Sequence, residues 1–176
     1  MKSLINIIAI LLFCVSCSKK VIEKSTIKET NLELQMIEAY KGGNMVALQQ
    51  QETKNLSSYG VIDPGMQDGL HFSINRIVEK PKVSEAPSNY AVIGRYILDP
   101  SILEVLENQP KGNGQEIQLT DALQTNLEKG TPLSGLLFRG ERYDCGTKKG
   151  YIEATLAYAK KDPELRALLT MNSGEK

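Results

Sequence analysis

Tryptophan is absent from this chain, and its 176 residues include one histidine and three cysteines. His71 has no companion, which argues against a histidine-ligated metal centre and a Ser-His-Asp triad. Any catalysis therefore runs on carboxylates and lysines. Cys14, Cys17 and Cys145 are too few and too unevenly placed for a disulfide framework. Net charge is lacking too, since 21 Lys and Arg balance 21 Asp and Glu. With no global positive field to release counterions, nucleic acid is not an expected partner, and any anion site must be local. No apolar run reaches the roughly 20 residues a spanning helix needs. The chain is nonetheless long enough, and at 41% hydrophobic rich enough, for one compact domain to bury a core.

What is present begins with Lys2 and the apolar run Leu4 to Phe13, which has the length of an export signal. It ends in Cys14-Val15-Ser16-Cys17, which resembles the lipobox of bacterial lipoproteins, where a small residue precedes the cysteine that is lipidated. Cys14 stands where that pattern prefers Leu or Val. On this reading residues 1–17 are a lipoprotein-type signal peptide, Cys17 becomes the lipidated N-terminus, and the chain is a membrane-anchored lipoprotein. The alternative is an ordinary signal or an uncleaved anchor, still at a membrane. Residues 18–30 are polar and read as a tether, 31–170 as the folded domain and 171–176 as a tail.

The folded part alternates helical and strand patterns. Leu32 to Tyr40 fits an amphipathic helix stopped by Gly42-Gly43, and Met45 to Leu48 is short and apolar like a buried strand. Tyr59 to Asp63 and His71 to Val78 read as a hairpin, with Pro64-Gly65 and Asp68-Gly69 as its turn. Tyr90 to Leu98 is dense in β-formers, and Pro100 opens a helix through Leu106. A helix over Leu119 to Leu127, a strand over Leu133 to Phe138, and helices over Lys148 to Lys160 and Pro163 to Leu169 follow. The expected class is α/β, with a layered sheet.

Several blocks then occur in a fixed order: Ser58 to Asp63 (SYGVID), Val78 to Lys82 (VEKPK), Ala86 to Asn89, Gly94-Arg95-Tyr96, Gly114 to Ala122 (GQEIQLTDA), and Arg142 to Gly146 (RYDCG). With these blocks, the segment from about Gln35 to Leu169 resembles the later half of bacterial UTP:glucose-1-phosphate uridylyltransferases (UDP-glucose pyrophosphorylases) of the sugar nucleotidyltransferase family. The resemblance implies a Rossmann-like nucleotidyltransferase fold with a mixed sheet, represented by its C-terminal part. It also implies the family reaction, in which a phosphate oxygen of glucose 1-phosphate displaces pyrophosphate from the α-phosphorus of UTP to give UDP-glucose.

Residue by residue, the resemblance makes Glu79 the acceptor for glucose hydroxyls. Lys80 becomes the catalytic lysine at the sugar phosphate, where a compact ammonium offsets charge as two anions approach. Tyr59 and Gly60 match the strand start against the sugar, with glycine allowing close backbone approach; Val92 and Gly94 line the same pocket. Asp144 matches one of two aspartates that hold Mg2+ between phosphate oxygens. From the residues alone, Asp144 is equally a cap or turn aspartate before the helix near Lys148. Glu116 and Asp121 are given positioning work. Tyr59 and Tyr96 read equally as core aromatics, Cys145 as a small buried residue, and His71 as a surface residue on the hairpin.

Complete family members carry a Gly-x-Gly-Thr-Arg loop that cradles the triphosphate. These 176 residues hold no such run, and Gly112-Asn113-Gly114 does not substitute, since Gln115-Glu116 follows. The uridine-reading segment and the other metal aspartate are missing as well. Activity is thus left open. The expectations are a sugar-phosphate half-site inactive by itself, a partner supplying the N-terminal half or a homo-oligomer, and a sheet with an exposed edge. A membrane-tethered, non-catalytic sugar-phosphate or protein-binding module is the alternative. UTP is a cytoplasmic substrate and a lipoprotein is exported, which sets the leader against the family reaction.

Overall fold

The computed structural model describes residues 31–112 and 115–171; Cys17, the leader and the tether lie outside them. The chain divides into two compact units, Met1–Lys41 and Gly42–Lys176. In the first, α1 (Leu32–Ala39) starts at Asn31, whose side chain accepts from the Leu34 amide at 3.0 Å, an N-cap that satisfies one orphan donor.

The second unit is a mixed α/β fold. Its strands are β1 (Asn44–Gln50), β2 (Gly60–Asp68), β3 (His71–Glu79), β4 (Tyr90–Ile97) and β5 (Leu133–Leu137). Helices α2 (Ser101–Asn108) and α3 (Leu119–Glu128) separate β4 from β5, and α4 (Lys148–Lys161) and α5 (Pro163–Met171) follow. Short 3-10 turns at Thr53–Ser58 and Val83–Glu85 lead into β2 and towards β4.

The strands form one closed sheet in the order β1-β4-β2-β3-β5, with β5 returning to β1. Only the β1–β5 pair is parallel; the β1–β4, β4–β2, β2–β3 and β3–β5 pairs are antiparallel. The exposed edge expected from the sequence is corrected by this closure. Its cause lies in Pro64-Gly65, which does not make the hairpin turn. The β2–β3 register shifts at Asp63/Pro64 and again before Gln67, so those residues form bulges inside β2, as a proline without an N–H requires. Bulges bend a strand and add twist. The far end of β3 thereby reaches β5, pairing Phe72 with Gly135 and Ser73 with Ser134.

Apolar side chains fill the interior of the sheet and the layer beneath α2 and α3: Val46, Leu48, Ile62, Phe72, Ile74 and Ile77 with Ile102, Val105 and Leu123. At one end a buried polar knot ties the helices to the sheet. Asn44 Nδ2 donates to Asn126 Oδ1 (3.1 Å), Asn126 Nδ2 to Ser101 Oγ (3.0 Å), and the Asp99 amide to Asn44 Oδ1 (2.9 Å). Both asparagines are almost fully buried, at 0% and 1% exposed. Among the described residues no helix is long and apolar enough to cross a membrane.

Candidate functional site

β2 and β3 end together, and their ends carry the SYGVID and VEKPK blocks. Gly60 pairs with Glu79 across the hairpin, and the Lys80 amide donates to the Tyr59 carbonyl at 3.0 Å. Tyr59, Gly60, Glu79 and Lys80 are therefore adjacent because one antiparallel register places them so. Lys80 breaks the strand with φ 45°, in the left-handed region that a side chain rarely occupies. The two side chains nonetheless meet. Glu79 is 17% exposed and Lys80 50%, with Lys80 Nζ 3.3 Å from Glu79 Oε1.

The other carboxylate oxygen, Glu79 Oε2, lies over Gly60, 3.3 Å from where a β-carbon would sit. Thr120 Oγ1 of α3 comes to the same point at 3.0 Å. Asp121 follows on that helix, its Oδ2 2.8 Å from the place of a β-carbon on Gly112. Burial first, and the charge of Glu79 second, hold the Asp121 carboxyl above its ordinary pKa. The same two causes in the same order raise the Tyr96 phenol. Glu79 thus stands at the centre of a polar group drawn from β3, β4 and α3. Tyr96 packs partly buried against the core, whereas Val92, 5% exposed, belongs to the core itself. Gly94 is exposed with φ +77° and open space where a side chain would stand.

The RYDCG block approaches this end through Arg142. Its Nη2 donates to the Tyr59 hydroxyl (2.8 Å), its Nε to Gln49 Oε1 (3.2 Å), and its guanidinium lies 5.5 Å over the Tyr59 ring. Gln49 Nε2 in turn donates to the Gly140 carbonyl (3.2 Å), and Lys161 Nζ donates to Glu141 Oε2 (3.1 Å), tying the same loop to α4. Sequence reasoning assigned Arg142 no role; its place two residues before Asp144 was the signal available.

Asp144 is exposed, and its Oδ1 accepts from the Gly146 amide (3.0 Å), an Asx turn. The cap of α4 is Thr147, which accepts from the Gly150 amide, so the turn half of the expectation holds and the capping half does not. Among the described residues no three His, Cys, Asp or Glu side chains gather as metal ligands, and Asp144 alone does not make a metal site. Cys145 is exposed, which corrects the expectation of a buried thiol. His71 opens β3 half-buried, with its Nε2 enclosed and unpartnered, so it is less of a surface residue than expected. Glu116 is exposed in the loop before α3, its carbonyl accepting from the Gly112 amide (2.9 Å). A hollow of about 450 Å³ lies apart from Glu79, between Glu141 and Tyr143 of the loop and Glu153, Leu156 and Lys160 of α4.

Residues 12–161 match the nucleotidyl transferase family model, starting within the apolar N-terminal run. UTP--glucose-1-phosphate uridylyltransferase of Staphylococcus epidermidis is 41% identical over 133 residues, covering 74% of this chain and 46% of that protein. The Staphylococcus haemolyticus protein of the same name is 40% identical over 140 residues, covering 78% of this chain and 48% of its own length. The chain thus spans about half the length of these relatives. A crystal structure of UDP-glucose pyrophosphorylase complexed with UDP-glucose superposes with a TM-score of 0.68 at 43% identity, over 73% of this chain and 49% of that one. UTP-bound UGPase from Acinetobacter baumannii gives 0.69 at 32% identity, over 81% of this chain and 50% of that one. With the β2–β3 end built from the same ordered blocks that suggested the resemblance, the chain belongs to the nucleotidyl transferase family.

Proposed function

We propose that this chain supplies the sugar-phosphate side of a UTP:glucose-1-phosphate uridylyltransferase site and does not turn over UTP by itself. The observation that carries the reading is the hairpin end. A largely buried carboxylate stands over a glycine at the end of the neighbouring strand, and the next residue holds a half-exposed ammonium 3.3 Å from that carboxylate. Glu79 accepts hydrogen bonds from sugar hydroxyls, with Tyr59 and Gly60 beneath and Val92 and Gly94 on the neighbouring strand. Lys80 neutralises the sugar phosphate as it nears a triphosphate. The P–O bond formed is between that phosphate and the α-phosphorus, and the bond to pyrophosphate breaks; positioning and charge neutralisation suffice, with no covalent nucleophile. Mg2+ would belong to a composite site in which Asp144 is one ligand, and would supply charge neutralisation at the phosphate oxygens.

Pyrophosphate release from UTP and glucose 1-phosphate tests this, with the chain alone and with a fragment bearing a Gly-x-Gly-Thr-Arg loop. Turnover is expected only with the fragment. None in either case sinks the enzymatic reading, and turnover by the chain alone sinks the half-site reading.

The Cys14-Val15-Ser16-Cys17 run favours a second reading, a membrane-tethered, non-catalytic module lipidated at Cys17. Two buried acyl chains hold a protein firmly at about 0.8 kcal/mol per CH2. Labelled palmitate should enter the chain in a bacterial host and be lost in Cys17→Ser; equal labelling of both rejects the anchor. The half-site reading, and the tethered module if it binds sugar phosphate, require glucose 1-phosphate to bind, more weakly in Glu79→Ala; calorimetry tests this.

A further inference from the structure

Among the described residues, the last backbone hydrogen bond from this end of the chain to the sheet is that of the Phe138 amide, which donates to the Leu48 carbonyl (2.8 Å). From there to α4 the chain is a loop that carries Asp144. Asp144 goes with the helix, since its carbonyl lies over Gly150 so closely that a β-carbon there would not fit. Two side chains then carry the hydrogen bonds between this loop and the sheet. Gln49 of β1 reaches the Gly140 carbonyl, and Arg142 reaches back to Gln49 and to the Tyr59 hydroxyl, with its guanidinium over the Tyr59 ring. The ion pair of Lys161 with Glu141 runs to α4 instead of the sheet, and with side chains 68% and 66% exposed it holds little. A planar guanidinium suits the place of Arg142: it donates from Nε and Nη2 at once while lying on a ring, which a point-like ammonium does not do.

Resting on the reading of the chain as half of a nucleotidyltransferase site, we infer that Arg142 is a positioning residue, which fastens the Asp144 loop to the hairpin end. Its partner Tyr59 is itself tied to Lys80, whose amide donates to the Tyr59 carbonyl (3.0 Å). One chain of contacts therefore leads from Lys80 through Tyr59 and Arg142 to a point two residues before Asp144. Arg142 acts through these neighbours and touches no reacting group. Both ends of the chain of contacts work on phosphate groups in the proposed reaction, where a displacement of about 1 Å costs about 100-fold in rate.

Cys145, exposed and next to Asp144, gives the loop its own reporter. A nitroxide spin label on Cys145, in the full chain with Cys14→Ser and Cys17→Ser, reads the mobility of the loop from its line shape. Arg142→Met and Arg142→Lys should both sharpen the spectrum, the second because charge alone does not replace the planar fork, while Lys161→Met should leave it as it is. An unchanged spectrum in either Arg142 variant overturns the inference. So does a loosening in Lys161→Met as large as theirs, which puts the fastening at α4. In turnover by the unlabelled chain with the Gly-x-Gly-Thr-Arg fragment, Arg142→Lys should lower kcat at least about tenfold. Its affinity for glucose 1-phosphate, read by calorimetry, should stay within about twofold. A loosened loop with kcat unchanged overturns the positioning role, and an affinity loss that accounts for the whole effect overturns it in favour of a part in binding. Absence of turnover in the unmodified pair is a different failure: it sinks the enzymatic reading and takes with it any part for Arg142 in the reaction, whatever the spin label shows.

Discussion

Lys80 sits where a glycine would be comfortable. A left-handed backbone costs a residue with a β-carbon about 1–2 kcal/mol, and its half-exposed ion pair with Glu79 returns little of that. The same residue carries the half-exposed ammonium beside Glu79, so strain and proposed function share a residue. Lys80→Gly is expected to leave the melting temperature unchanged or slightly higher, relief of strain being offset by a freer unfolded chain, while weakening glucose 1-phosphate binding. A variant that lost stability and kept its affinity would contradict this. Asp121 makes the opposite kind of prediction. Its carboxyl is raised in the folded state, so the folded chain binds more protons than the unfolded one as pH climbs out of the ordinary carboxylate range. Stability from this group is therefore present below its unfolded pKa and lost as pH rises through the raised value. Asp121→Asn removes that loss, and its melting temperature should gain on the unmodified protein as pH rises from below the ordinary carboxylate range through and above it. A constant difference across the range would show that Asp121 does not titrate as described.

Among the elements, those with strong periodicity were legible in the sequence. α3, expected over Leu119 to Leu127, spans Leu119–Glu128, and β4, expected over Tyr90 to Leu98, spans Tyr90–Ile97. Pro64-Gly65 was not, because a proline-glycine pair has the same local chemistry in a turn and in a bulge; the choice is made by the register with β3, a non-local fact. The same holds for the closure of the sheet, and for the meeting of Arg142 with Tyr59 across the fold. At the site, adjacency of Glu79 and Lys80 is written in the chain, while the approach of Thr120 and Asp121 depends on where α3 docks. Docking of α2 and α3 rests in part on Asn126, which links β1 to Ser101 through a buried and a partly buried hydrogen bond. Asn126→Ala would leave the Asn44 amide enclosed without its acceptor, and a loss of about 2–3 kcal/mol is expected. The denaturant midpoint should fall without a change in slope. A cost below about 0.5 kcal/mol would mean that the network is not what seats these helices.

At the scale of the molecule, two properties act in the same direction. α4 and α5 leave Tyr151, Ile152, Leu156, Tyr158, Leu165 and Leu168 exposed. The chain also carries no net charge to keep copies apart, with a sequence pI near 6.6. Exposed apolar groups attract, and a molecule near its isoelectric point has no long-range repulsion to oppose them. Self-association of the Cys17→Ser chain, which removes any contribution from acylation, is therefore expected to be strongest near pH 6.6. It should weaken by pH 8.5 as net negative charge builds. Added salt then acts differently at the two values: at pH 8.5 it screens repulsion and promotes association, and at pH 6.6, with no net repulsion to screen, it does not. Ile152→Glu with Tyr158→Glu, both on the exposed surface of α4, should reduce association at either pH without lowering the melting temperature. Sedimentation velocity reads all of these. Association that ignores both pH and the two glutamates would place the contact elsewhere on the molecule.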